Sequence, residues 1–150
     1  MVGRIVHVGV TVSDIDRSIA FYRDVLGLTF EGEITMQGEE TDILFGGEGV
    51  VARVAYLNGG DSIDCPPVEL ICFKSGVISY KADLMKTSIS EICFVTQDIM
   101  ADYERMKAQG AEFLSTPQHF DFTASGFGKS IAVYFRDPDG IIQELMQYVD

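Results

Sequence analysis

The stretch His7–Gly27, HVGVTVSDIDRSIAFYRDVLG, carries a strand, a helix start and a helix stop in one short run. Side chains alternate along a strand, so Val6, Val8, Val10 and Val12 share one face and His7, Gly9 and Thr11 the other. Beyond it, Ile15, Ile19, Tyr22 and Leu26 recur at intervals of 4, 3 and 4, one apolar stripe of a helix. Ser13 or Asp14 caps its orphan amides, and Gly27 suits the position after its end. The valine face is the natural seat for that helix. His7 then points to the opposite side of the sheet.

The same order returns further along. Glu91–Ile99 (EICFVTQDI) is strand-like and ends in Asp-Ile, as His7–Ile15 does. Ile99, Tyr103 and Met106 form the second helical stripe, Asp98 its cap and Gly110 its stop. About three strand-like runs follow each helix, closing on Val68-Glu69-Leu70-Ile71 and on Gln143-Glu144-Leu145-Met146. A repeat this ordered predicts an internal duplication. Its modules are 4–75 and 88–148, joined by a more polar linker at 76–87. Asp137-Pro138-Asp139-Gly140 reads as a type I hairpin turn, and Gly46-Gly47-Glu48-Gly49 as another hairpin signal.

Composition sets outer limits. The chain has 150 residues, with 11 Lys and Arg against 23 Asp and Glu, a net charge of −12. That length suits one domain, or two very small ones sharing a core, and buries roughly 70% of the unfolded surface. The acidic balance opposes nucleic-acid and anionic-membrane partners. No run reaches the roughly 18 apolar residues of a membrane span, and Met1–His7 lacks a signal peptide's apolar region. Cys65, Cys72 and Cys93 form no CxxC pair, so reduced thiols in a cytoplasm are expected, with Cys72 and Cys93 buried.

Glu91 occupies the place of His7 in the second module. Glu69, Ile71 and Phe73 share a face of one closing strand, and Ile142, Glu144 and Met146 a face of the other. A lone carboxylate among apolar neighbours is costly without a partner. Two at matching places ask for one explanation, and a bound cation supplies it.

His7–Gly27 closely resembles the opening of the vicinal oxygen chelate superfamily. That superfamily includes glyoxalase I, methylmalonyl-CoA epimerase, extradiol dioxygenases and bleomycin-resistance proteins. Tyr134–Leu145 (YFRDPDGIIQEL) resembles its closing hairpin. The resemblance implies an α+β fold, two βαβββ modules whose mixed sheet curls around one cavity. It implies a divalent metal, whether Zn, Ni, Mn, Mg, Co or Fe, on His7, Glu69, Glu91 and Glu144. Glu91 departs from the pattern, which has histidine there. Its alternatives stay open: an outward turn, a hydrogen-bond acceptor behind a ligand, or a catalytic base. A metal-free site is a further alternative, since some members bind ligands without metal.

The activity implied is that of a lyase, isomerase or epimerase of glyoxalase I type. The metal polarises vicinal oxygens of a small-molecule substrate, and Glu144 or Glu69 moves the proton next to its carbonyl. Glu48 is an additional base candidate. Two other readings stand beside this one. One is a binding protein of the antibiotic-resistance kind. The other is an extradiol dioxygenase, which lacks its second strand histidine here. Pro117–Gly128 is a candidate lid, with His119 in a loop. Arg53, Lys74, Lys81 and Lys86 are candidates for a positive rim. A homodimer is implied by the resemblance alone.

Overall fold

The computed structural model describes residues 5–60 and 67–149. Cys65, Met1–Arg4 and the start of the first module at residue 4 lie outside them. The chain divides into two compact units, Met1–Ser79 and Tyr80–Asp150. Each pairs an open mixed sheet with few helices. The fold is α+β.

The first unit runs β1 (Val8–Thr11), α1 (Ile15–Ala20), β2 (Thr29–Gln37), α2 (Glu39–Phe45), β3 (Val51–Asn58) and β4 (Val68–Phe73). Its four strands lie in the order β1-β4-β3-β2, with β1 parallel to β4 and the other pairs antiparallel. The second runs β5 (Ile92–Val95), α3 (Ile99–Ala108), β6 (Glu112–Phe113), β7 (Gln118–Asp121), β8 (Lys129–Arg136) and β9 (Ile142–Val149). Its order is β5-β9-β8-β6, with β7 also on β8 and β5 parallel to β9.

The helices begin and end for the reasons read from the sequence. Asp14 accepts a hydrogen bond from the Arg17 amide at 3.1 Å, and Asp98 one from Ala101 at 3.0 Å. Each cap satisfies an amide that the helix cannot, worth about 1 kcal/mol. Beyond α1 a wider, π-helical turn covers Phe21–Val25. Gly27 and Gly110 then close the two helices at φ +83° and +90°, where a β-carbon would be strained. The stripes are buried at Ile15, Ile19 and Tyr22, and at Ile99, Tyr103 and Met106. They pack on the sheet faces carrying Val10, Val12, Leu70 and Leu145, all buried.

The hairpin at Asp137–Gly140 forms as expected. The Gly140 amide donates to the Asp137 carbonyl at 2.9 Å, and the Asp137 side chain accepts from Asp139 and Ile141.

Several expectations need correction. Val6 is exposed rather than under the helix, because β1 begins only at Val8. Helix α2 is inserted between β2 and β3 where a simple strand succession was read. Gly46 ends that helix with φ +67°, so Gly46–Gly49 is a helix stop and turn rather than a hairpin. Its anchor is Asp42, whose carboxylate accepts from the amides of Gly49 and Val50. Cys72 is half-buried and Cys93 exposed. Cys72 follows Val68 and Leu70 on the helix side of β4, its thiol donating to the Ser13 carbonyl at 3.7 Å, whereas Cys93 lies on the face of β5 opposite Ile92 and Phe94. Among the described residues no helix is long and apolar enough to cross a membrane.

Candidate functional site

Strand register decides which side chains meet. In the first unit Glu69 lies opposite Gly9 on β1 and Tyr56 on β3. Opposed residues send side chains to one face. Tyr56 Oη donates to Glu69 Oε1 at 2.8 Å, and His7 Nε2 comes to 3.3 Å of Oε2. The Glu69 side chain is 12% exposed and that of His7 43%, so the imidazole stands at the open edge of a sheltered carboxylate. Gly9 supplies the room: a β-carbon there would come to 3.3 Å of Glu69 Oε2. Burial, then the hydrogen bond and charge of Glu69, push the Tyr56 hydroxyl above its ordinary pKa.

The second unit repeats this frame with different residues. Glu144 lies opposite Cys93 on β5 and Tyr134 on β8. Gly9 and Cys93 are therefore equivalent, and so are His7 and Glu91, each two residues earlier. Glu144 is buried at 9% exposure. Its carboxyl is pushed up, by burial first and by the charge of Glu91, against a lowering hydrogen bond with Cys93. The Cys93 thiol rises to about 12, because its sulfur loses water and faces Glu144 and Glu91. Tyr134 is raised by burial and then by Glu144, Glu91 and Cys93.

The residues singled out from the sequence thus come together in pairs, His7 with Glu69 and Glu91 beside Glu144. Among the described residues no group of three or more His, Cys, Asp or Glu side chains gathers within metal-binding reach. Glu48 stands apart. It lies in the turn before Val51, while Tyr56 is about 17 Å further along β3. His119 is on strand β7, exposed, rather than in a loop. The candidate lid is ordered at its start as that strand and then as a short 3-10 turn, Thr123–Ser125. Arg53 is spent internally: it bonds Asp16 at 2.9 Å and Glu33 at 2.6 Å.

Tyr56 and Tyr134 were missed. The signal was there, as Ala55-Tyr56-Leu57 and Val133-Tyr134-Phe135 hold a tyrosine between apolar residues on the strand before each glutamate.

Residues 4–145 match the family described as the Glyoxalase/Bleomycin resistance protein/Dioxygenase superfamily. The chain belongs to that superfamily. Among curated superfamily relatives, a probable lactoylglutathione lyase of Vibrio cholerae is 28% identical over 96% of this chain and 90% of its own length. A virulence protein of Salmonella typhimurium is 25% identical over 99% of this chain and 87% of its own. A crystal structure of a glyoxalase family protein from Bacillus cereus aligns with TM-score 0.83 and 21% identity. It covers 100% of this chain and 97% of that one, a likeness of fold.

Within each unit the pair present, His7 with Glu69 or Glu91 with Glu144, is of the donor type that a divalent cation takes. The charge of Glu91 adds to the cost of ionising the buried Glu144, and no ion pair relieves it among the described residues. A divalent ion removes that repulsion and accepts both oxygens.

Proposed function

We propose that the chain is a metal-dependent lyase or isomerase of glyoxalase I type. It promotes proton transfer next to the carbonyl of a small, metal-chelated substrate. His7 and Glu69 supply one half of the ligand set, and Glu91 and Glu144 the other. The observation that carries this reading is the repeated register, a glutamate flanked by tyrosine on one side and by the Gly9 or Cys93 position on the other. The relative named as a probable lactoylglutathione lyase supports the same class.

The metal's contribution is to polarise two adjacent substrate oxygens and so acidify the neighbouring C–H. The chain's own residues do the rest. Glu144 is the proton carrier, because burial and Glu91 hold its carboxyl toward the neutral form. Glu69 is the alternative carrier, but Tyr56 and His7 both hold its oxygens and suit it better to a fixed ligand. Ile71, half-buried, and Ile142, buried, supply apolar wall beside these carboxylates.

Two measurements test this. Elemental analysis of purified protein gives stoichiometric metal that His7→Ala loses. Glu144→Gln keeps the melting curve but abolishes solvent-deuterium incorporation across a panel of α-hydroxycarbonyl and thioester substrates. Unchanged incorporation sinks the assignment.

A specific observation favours a second reading, a metal-free small-molecule binder. Glutamate stands where the resemblance implies histidine, and no three ligands gather among the described residues. Absence of metal with retained ligand binding would establish it. A homodimer is part of the proposal and is read by sedimentation.

A further inference from the structure

The second unit contains a cavity of about 410 Å³ whose charge runs against that of the whole chain. Lys81, Lys86 and Arg136 line it, with Asp83 as the acidic member. They are three of only 11 basic residues in a chain of net charge −12. Leu84, Leu114 and Ile142 supply the apolar wall.

The cations are placed in different ways. Arg136 is fixed by the hairpin turn: Nη1 donates to the Gly140 carbonyl at 2.7 Å and to that of Ala82 at 3.4 Å. Its Nε is 3.7 Å from the exposed Glu112, a loose contact. Lys86 is loosely paired with Asp83 at 3.6 Å. Lys81 has no ion pair or hydrogen bond among the described residues. A backbone bond from Met85, then the charges of Lys86 and Arg136, hold Asp83 below the usual carboxylate range, so it is ionised. Three cations against Asp83 in the cavity and the exposed Glu112 beside it leave an excess of one positive charge in a concave, partly apolar site. Fixed charge in a concavity concentrates counter-ions far more than the same charge on a flat surface. The volume falls in the range of small-molecule sites.

We propose that this cavity binds a small organic dianion, its charged group between Lys81, Lys86 and Arg136 and its apolar body on Leu84, Leu114 and Ile142. A phosphate monoester and a dicarboxylate share that chemistry. The inference does not rest on the metal reading. It gives a use to Lys81 and Lys86, which the sequence had grouped in a positive rim with Arg53.

Calorimetry and amide chemical shifts test it with three probes: phenyl phosphate, succinate and neutral phenol. Phenyl phosphate saturates with millimolar or tighter affinity and shifts amides of residues 81–86 and 136. Charge reversal in Lys81→Glu/Lys86→Glu weakens it by about tenfold or more. Lys107→Glu, whose ammonium lies over the Tyr103 ring on α3, leaves it unchanged. Tighter binding of succinate supports the site and assigns it to dicarboxylates. Should the reversed variant lose its fold by circular dichroism, Lys81→Met/Lys86→Met asks the same question. Three results overturn the proposal: no saturation by either dianion below about 10 mM, equal affinity for phenol, or undiminished binding in the folded double variant.

Discussion

Removing one oxygen from Tyr56 isolates the contribution of the atom that holds Glu69. Tyr56→Phe keeps the ring and its place opposite Glu69 on β3 and deletes only the donor at 2.8 Å. A hydrogen bond to a charged group is worth about 1.5–3 kcal/mol when sheltered. Glu69 is 12% exposed, so water replaces part of the lost bond and the stability cost is about 1 kcal/mol. For a chain of this length that lowers the melting temperature by roughly 2–4 °C. Metal affinity is hit harder. The carboxylate loses the partner that orients it, and such outer partners are worth about 10–100-fold in affinity. Converted, that is about 1.4–2.7 kcal/mol. Tyr134→Phe is the internal comparison: no hydrogen bond joins Tyr134 to Glu144 among the described contacts, so affinity changes by less than about threefold. The assay is competition with a fluorescent chelator, alongside thermal melts of both variants. Equal metal affinity in Tyr56→Phe and the parent would refute the orienting role. Failure of the parent itself to bind metal refutes the proposed function instead.

Other perturbations read other parts of the structure. Asp98→Ala removes the cap of α3 and costs about 1 kcal/mol, measured by urea unfolding. Asp102 titrates below its ordinary value: burial alone would raise it, but hydrogen bonds from Thr96 and Arg105 and the charge of Arg105 outweigh that. Its folded pKa lies under its unfolded one, so its stabilisation is present above the unfolded value and is lost as pH falls through the folded one. The melting gap between parent and Asp102→Asn therefore closes on acidification, and a gap constant with pH contradicts the assignment. In chelator-treated Cys65→Ser/Cys72→Ser protein, Cys93 reacts about a hundredfold slower with a disulfide reagent near neutral pH than a free thiol does, its scarcer thiolate being partly offset by greater nucleophilicity. Glu144→Gln speeds it.

Local chemistry made much of this fold readable. Asp14 and Asp98 cap, Gly27 and Gly110 stop, and Asp137–Gly140 turns, because each act needs one residue type at one backbone conformation. The site was readable only in halves. Alternation placed Glu69 and Glu144 on single faces, but alternation is blind to the neighbouring strand. Tyr56 and Tyr134 emerge only when register sets them opposite the glutamates. Helix α2 was hidden for a related reason. Glu39–Phe45 is short, exposes Ile43 and Leu44, and has Phe45 against Phe73 as its visible anchor, so it shows no long apolar stripe. Cys93 was read as buried from its apolar neighbours, although β5 alternates toward an uncovered face.

The two halves of the repeat have diverged at one structural place, and that divergence sets their electrostatics. Gly9 offers no side chain, so Glu69 turns one oxygen to His7 and the other to Tyr56. Cys93 fills the equivalent space and turns its sulfur to Glu144, while the position of the imidazole holds Glu91. Glu69 therefore rests between two possible donors, Tyr56 and His7, and Glu144 between one donor, the Cys93 thiol, and a second carboxylate, Glu91. On the proposed reading, burial and the charge of Glu91 raise the proton affinity of Glu144 and so suit it to carry the proton. A histidine at position 91 would remove the charge that adds to the effect of burial on Glu144. On the proposed reading, the departure from the superfamily's pattern at that residue is thus tied to which of the two glutamates moves the proton.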